Sequence, residues 1–299
     1  MILMKRRTLA VLAVCALALA GCTSPAPSDK LSVVAGLYPY AYLAQAIGGD
    51  LVDVTNLTQP GAEPHDLELT AKQVASVADS ALTIYEAGLQ PAVDAAVAQA
   101  KPSHALDATT VVPLEEHEDG GDDGRAGLDP HIWLDPTKMI TLAQAIAQQL
   151  IQIDPANQEA YTEGLVSLTL SLTSIDTQYA TGLASCQRTD FLTTHAAFGY
   201  LAERYGLNQI SIAGFSPDAE PSPDRITEIH QIVEEKGITT VFFEPLAAPD
   251  MAKSLANDLG LSTDQLDPIE GLTDQSRGTD YLEIMASNLT ALRQANGCS

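Results

Sequence analysis

The sequence contains no Cys-x-x-Cys pair, no Gly-x-x-x-x-Gly-Lys-Ser/Thr loop and no His-Glu-x-x-His segment. The first absence excludes a structural zinc knuckle. The second excludes ATP hydrolysis by a phosphate loop in this chain, and the third excludes the helix that carries a common class of zinc peptidase. Positive charge is scarce, with 15 Lys and Arg against 39 Asp and Glu and a formal charge of −24. Nucleic acid and anionic lipid are poor partners for such a surface, whereas a cation suits it. Beyond residue 22 no apolar run reaches the roughly 18 residues of a membrane helix. Histidine is limited to 6 residues and tryptophan to 1, and two of these sit together in "DPHIWLD", Asp129 to Asp135.

The first residues read as a processing signal. Lys5, Arg6 and Arg7 precede the apolar run "TLAVLAVCALALA", and "LAGC" ends it at Cys22. This is the pattern of a secretory leader, residues 1–21. The small residues before Cys22 resemble a bacterial lipobox, which implies cleavage there and acylation of Cys22; an uncleaved anchor helix is the alternative. Residues 22–30 then form a flexible tether. Either route places the body of the protein outside the cytoplasm, anchored to the cell membrane. Cys15 is lost with the leader, so Cys186 and Cys298 are the thiols left in an oxidising compartment. A Cys186–Cys298 disulfide is the expectation.

Apolar β-branched runs alternate with helical patterns twice, the signal of βαβ units and parallel sheets. Strands are expected at 31–37, 52–58, 81–87 and 104–112, and again at 190–195, 209–215, 239–244 and 263–267. The fold class is therefore α/β: two four-stranded parallel-sheet lobes, 31–135 and 186–299, joined by a helical connector, 136–185. Asp135-Pro136 and Asp154-Pro155 each open a connector helix with an N-cap and an N1 proline. Along the second helix Tyr161, Leu165, Leu168, Leu172, Ile175, Tyr179 and Leu183 form one apolar stripe. That stripe is expected to pack on its own chain, with a dimeric coiled coil as the alternative, and the long helix is expected to be a stiff backbone. Residues 113–129 carry seven carboxylates and four glycines, the composition of an acidic loop that does not pack. His117 within it reads as a solvated loop histidine, with weak metal scavenging as the alternative.

Three histidines occupy positions where a ligand site forms in open parallel sheets, beyond the carboxyl ends of strands. His65 follows the second strand in "QPGAEPHDLE", His131 follows the fourth, and His195 ends the fifth in "FLTTHAAFGY". Asp267 ends the eighth strand in "QLDPIEG". Only tertiary structure can unite groups this remote in sequence, and the interlobe cleft is where it would do so. Three imidazoles and one carboxylate suit Zn²⁺, whereas mostly oxygen ligands favour Mn²⁺. Asp129, Glu63 and Glu244 are candidates to accept the second ring N–H of these histidines, and Glu244 is also a weaker alternative ligand. His104 and His230 lack strand-end placement and read as structural or surface residues.

The lipobox, "PGAEPHDLE", "DPHIWLDP", "TTHAAFGYLAERYGL", "EPSPDRITEI", "FFEP", "LDPIEGL" and "DYLEIMASNL" occur in this order over essentially the whole mature chain. Together they resemble the zinc and manganese solute-binding lipoproteins of ABC transporters. The resemblance implies two α/β lobes on a rigid backbone helix, metal ligands at His65, His131, His195 and Asp267, and a separate permease and ATPase as partners. A glutamate at the third ligand position would mark the manganese branch; His195 places this chain with zinc. The acidic loop departs from many zinc receptors in holding one histidine rather than a run.

The leading expectation is thus a monomeric, non-enzymatic receptor that captures Zn²⁺ outside the membrane and delivers it to an importer, with Mn²⁺ or iron as alternative cargo. A zinc hydrolase would use the same histidines with an open coordination position and Glu63 or Glu68 as base. A surface adhesin or metal buffer would lack the transporter partners.

Overall fold

The computed structural model describes residues 30–117, 127–217, 221–246 and 250–299. The expected leader, Cys22, the tether up to residue 29 and the middle of the acidic loop lie outside the described residues. In the first lobe β1 (Leu31–Ala35), β2 (Val52–Asn56), β3 (Leu82–Tyr85) and β4 (Ala105–Asp107) form a parallel sheet in the order β2-β1-β3-β4. Leu31 lies opposite Val52 and Val33 opposite Leu82. Helices α1 (Tyr38–Gly48), α2 (Ala71–Asp79) and α3 (Pro91–Ala100) alternate with these strands. Thr70 and Gln73 form a reciprocal cap that starts α2.

The expected strand at 104–112 stops at Asp107. The Asp107 carboxylate accepts the Thr109 N–H at 3.0 Å and so starts a single helical turn, α4 (Ala108–Val111). The ends of the acidic segment are also more ordered than its composition suggests. Glu115–Glu116 (β5) pairs antiparallel with Leu128–Asp129 (β6).

The connector holds α5 (Pro136–Ile153) and α6 (Gln158–Gly182). Asp135 caps α5 by accepting the Thr137 N–H at 2.7 Å. On α6 the stripe residues Tyr161, Leu168, Leu172, Ile175 and Tyr179 are buried, each contributing about 1.5–3 kcal/mol by leaving water. They pack within the chain, because α6 lies against α1, α5 and α10 (Tyr281–Asn296). Gly164 permits the crossing with α1: a Cβ there would come within 2.3 Å of the Ile47 carbonyl oxygen.

The second lobe repeats the topology of the first. Strands β7 (Asp190–Thr193), β8 (Asn208–Ser211), β9 (Thr240–Phe243) and β10 (Ser262–Gln265) are parallel in the order β10-β9-β7-β8. Helices α7 (Gly199–Tyr205), α8 (Pro223–Lys236) and α9 (Asp250–Leu259) lie between them. Cys186 and Cys298 are joined by a disulfide, which ties the segment after α10 to the start of this lobe. Leu31–Ser299 forms one compact unit. The largest apolar cluster runs from Val33 and Ile84 of the first sheet, through α5 and α6, to Phe191 and Phe242 of the second, with a smaller cluster in each lobe. The two sheets therefore share one apolar cluster with the connector helices, and the segments that follow β2, β6, β7 and β10 meet in one region.

Candidate metal centre

His65, His131, His195 and Glu270 converge in that region, each offering a ligand atom within 4.8 Å of the others. His65 lies in the loop between β2 and α2, and His131 directly after β6. His195 follows β7, and Glu270 follows β10. The ring centroids of His65 and His131 are 5.7 Å apart, those of His131 and His195 5.4 Å, and those of His65 and His195 6.3 Å. Glu270 Oε1 lies 3.1 Å from the Nε2 atoms of both His65 and His131, and 3.8 Å from that of His195. His131, His195 and Glu270 are buried, and His65 is nearly so.

The outward ring nitrogens of His131 and His195 are held by carboxylates. His131 Nδ1 lies 2.7 Å from Asp129 Oδ1, which also accepts the His131 backbone N–H at 2.8 Å. His195 Nδ1 lies 2.5 Å from Glu244 Oε1, and that oxygen accepts the Thr194 hydroxyl at 2.6 Å. A carboxylate on Nδ1 keeps the proton there and presents Nε2 inward, which is how metal-binding imidazoles are oriented. Glu63 acts differently, accepting the His65 backbone N–H at 3.1 Å rather than a ring proton.

Asp267 does not join the convergent set. It sits two residues beyond β10, where its Oδ1 accepts the Ile269 N–H at 2.8 Å, and its backbone is paired on both sides with the Asn288 carboxamide. An Asp before a proline that bonds two residues ahead is a turn former. Here the turn carries Ile269 at φ +59 and delivers Glu270, three residues on, into the cleft. A left-handed β-branched residue costs about 1–3 kcal/mol and persists only where its surroundings hold it. Trp133 does the holding: its indole N–H donates to the Pro268 carbonyl at 2.7 Å, and the Tyr281 hydroxyl donates to the Trp133 carbonyl at 2.7 Å. The tryptophan of "DPHIWLD" thus ties the His131 segment to the turn that carries Glu270. Glu270, and not the expected strand-end carboxylate Asp267, joins the three histidines. The Asp-Pro pair is the signal in the sequence that Asp267 Oδ1 forms a turn.

Charge in the site is arranged around one carboxylate. Burial pushes Glu270 up, but the surrounding His65, His131 and His195 hold its carboxyl well below the usual range. Burial pushes the His131 and His195 imidazoles down, yet Asp129 and Glu270 raise the former, and Glu244 and Glu270 raise the latter well above the ordinary value. Glu63 is pushed up to about 8, by burial and then by Glu270. Asp267 is pushed up to about 6, chiefly by burial. His195 Nε2 and Glu270 Oε2 are buried without a hydrogen-bond partner among the described residues. Buried polar atoms are rarely left so, and two of them on residues of one cluster fit a cation held there.

Two α/β lobes of matching topology, with three imidazoles and a carboxylate gathered between them, define a two-lobed cleft-binding protein. The family model described as zinc-uptake complex component A, periplasmic, matches residues 33–295, and the chain belongs to that family. It is 35% identical to the zinc-binding lipoprotein AdcA of Streptococcus pneumoniae strain R6 over 97% of this chain and 61% of that protein. The chain thus spans about three fifths of the length of the pneumococcal relative. It is 33% identical to the high-affinity zinc uptake system protein ZnuA of Bacillus subtilis strain 168 over 95% of this chain and 96% of that one. The crystal structure of the Zn(II)-bound ZnuA-like domain of Streptococcus pneumoniae AdcA superposes with a TM-score of 0.76 at 34% identity, covering 89% of this chain and 99% of that one.

Proposed function

We propose that this protein is an extracytoplasmic receptor that captures Zn²⁺ at His65, His131, His195 and Glu270 and passes it to an ABC-type permease and its ATPase. The observation that carries this reading is the convergence of those four ligand groups from two lobes, with buried atoms left unpartnered among them. Three nitrogen ligands and one oxygen suit Zn²⁺ better than the harder Mn²⁺. Relatives named for zinc binding and zinc uptake support the same cargo. A set of four protein ligands fills a tetrahedral shell and leaves no position for a reactive water, which favours binding and transfer over hydrolysis. Among the described residues no helix is long and apolar enough to cross a membrane. Attachment would come through lipid on Cys22, as the lipoprotein name of the pneumococcal relative also suggests. We further propose a monomer with lobes at 31–135 and 186–299 on the connector 136–185.

Elemental analysis of the purified protein and a competition series of Zn²⁺, Mn²⁺ and Fe²⁺ test this reading. One equivalent of tightly held Zn²⁺ is expected, and His195→Glu should shift preference toward Mn²⁺. Equal selectivity in the two proteins would remove His195 from the ligand set.

A further inference from the structure

We propose that His117, acting through Asp129, is a positioning residue that holds His131 in its metal-capturing orientation and ties that orientation to the second lobe through Glu203. The inference rests on the zinc-site reading above and extends it to a histidine expected to be solvated.

Asp129 is fully buried and serves two imidazoles at once. Its Oδ1 holds His131, and its Oδ2 lies 2.8 Å from His117 Nδ1. A buried carboxylate that loses the partner on one oxygen must draw in water or turn, and turning would release the grip on His131.

The other side of His117 faces the second lobe. Its Nε2 lies 3.2 Å from Glu203 Oε2 on α7, and its ring stands edge-on to Tyr200 with centroids 4.6 Å apart. The Tyr200 hydroxyl donates to the Asp129 carbonyl at 2.9 Å and accepts the Glu115 N–H at 2.8 Å. Gly199 makes this approach possible, because a Cβ there would fall 2.6 Å from both Asp129 Oδ2 and the His117 ring. The path Glu203–His117–Asp129–His131 therefore runs from the exposed rim of one lobe to a ligand of the other.

Glu115, His117 and Glu203 also bring ligand atoms within 4.8 Å of one another. Lys138 Nζ already lies 2.6 Å from Glu115 Oε1 and supplies a cation to this group. The geometry is that of an ion-paired network in which His117 acts as a strut.

The test uses the full chain, with Zn²⁺ affinity from chelator competition, the Zn²⁺ dissociation rate, and the electronic spectrum of the Co²⁺-loaded protein as a report on the ligand field. Replacing a direct outer partner of a metal ligand costs about 10- to 100-fold in affinity. One bond further out, His117→Ala should cost about 3- to 10-fold, with faster release and a shifted Co²⁺ spectrum. His117→Asn puts a carboxamide nitrogen where Nδ1 meets Asp129 and should restore most of the affinity. His117→Gln reaches toward Glu203 instead and should not. Gly199→Ala, which crowds the same pair from the other side, should weaken binding in the same direction.

Unchanged affinity, release rate and Co²⁺ spectrum in His117→Ala would overturn the inference, as would equal losses in the Ala, Asn and Gln variants. Loss of a second equivalent of bound Zn²⁺ in His117→Ala would overturn it in favour of a separate ion site. His131→Ala separates the two levels. Abolished binding there with no effect at His117 would sink the strut alone, whereas unchanged binding there would sink the zinc-site reading and the strut with it.

Discussion

Trp133→Phe removes one buried N–H while keeping an aromatic ring in place, and it isolates the device that aims Glu270. The lost hydrogen bond to the Pro268 carbonyl, at 2.7 Å in the structure, leaves that acceptor unsatisfied at a cost of about 1–3 kcal/mol. Phe is smaller than Trp by roughly 40 Å³, and at about 24 cal/mol per Å³ of unfilled cavity this adds on the order of 1 kcal/mol. Trp133 is fully buried, so little of that volume can be recovered by solvent. The metal-free variant should therefore be less stable by about 2–4 kcal/mol in urea titrations followed by circular dichroism. A further effect is expected on binding. Ile269 sits at φ +59 against its preference, and once Pro268 is released the turn can relax and draw Glu270 away from the three imidazoles. Zn²⁺ affinity should fall together with stability. A variant destabilised by this amount that binds Zn²⁺ as tightly as the parent would refute the assignment of Trp133 as the tether.

On the proposed ligand set, protons and Zn²⁺ would compete for the same imidazoles. Because His131 and His195 are raised in the metal-free protein, competition should set in above the ordinary histidine value near roughly 6.5, and affinity should fall as pH drops through neutrality. Stability carries the opposite sign. The raised imidazoles stabilise the metal-free fold fully below about pH 6.5 and lose that contribution as pH rises through their folded values. Glu270, held low, contributes above the unfolded carboxyl value and loses its contribution only in acid. The rise in melting temperature on adding Zn²⁺ should grow from pH 6 to pH 8, and a rise independent of pH would contradict this; calorimetry in both states provides the check. The Cys186–Cys298 bridge spans a separation of 112 residues. Replacing both cysteines with serine should cost about 2–5 kcal/mol in a denaturant titration, with Zn²⁺ affinity unchanged, and a loss of affinity would mean the bridge also braces the cleft.

Most of the fold was legible along the chain. Strand and helix periods, the Asp-Pro caps at 135–136 and 154–155 and the stripe on α6 are local patterns, and local patterns survive translation into structure with shifts of a few residues. The strand expected through residue 112 ended early because one side chain, Asp107, captured the next turn. His117 was misread for a related reason: acidic, glycine-rich surroundings described its neighbours in sequence, whereas its neighbours in space are Asp129, Tyr200 and Glu203.

Residue order alone determined the lobes, their parallel sheets and the three histidines at strand ends, since hydrophobic period and turn chemistry act over a few residues. Which carboxylate completes the set was decided by tertiary structure. Asp267 and Glu270 stand three residues apart in the same motif. A turn held by Asn288 on one side and by the Trp133 indole from the other lobe engages Asp267 Oδ1 with the Ile269 N–H and places Glu270 among the three imidazoles. No pattern along the chain encodes a hydrogen bond made across 135 residues.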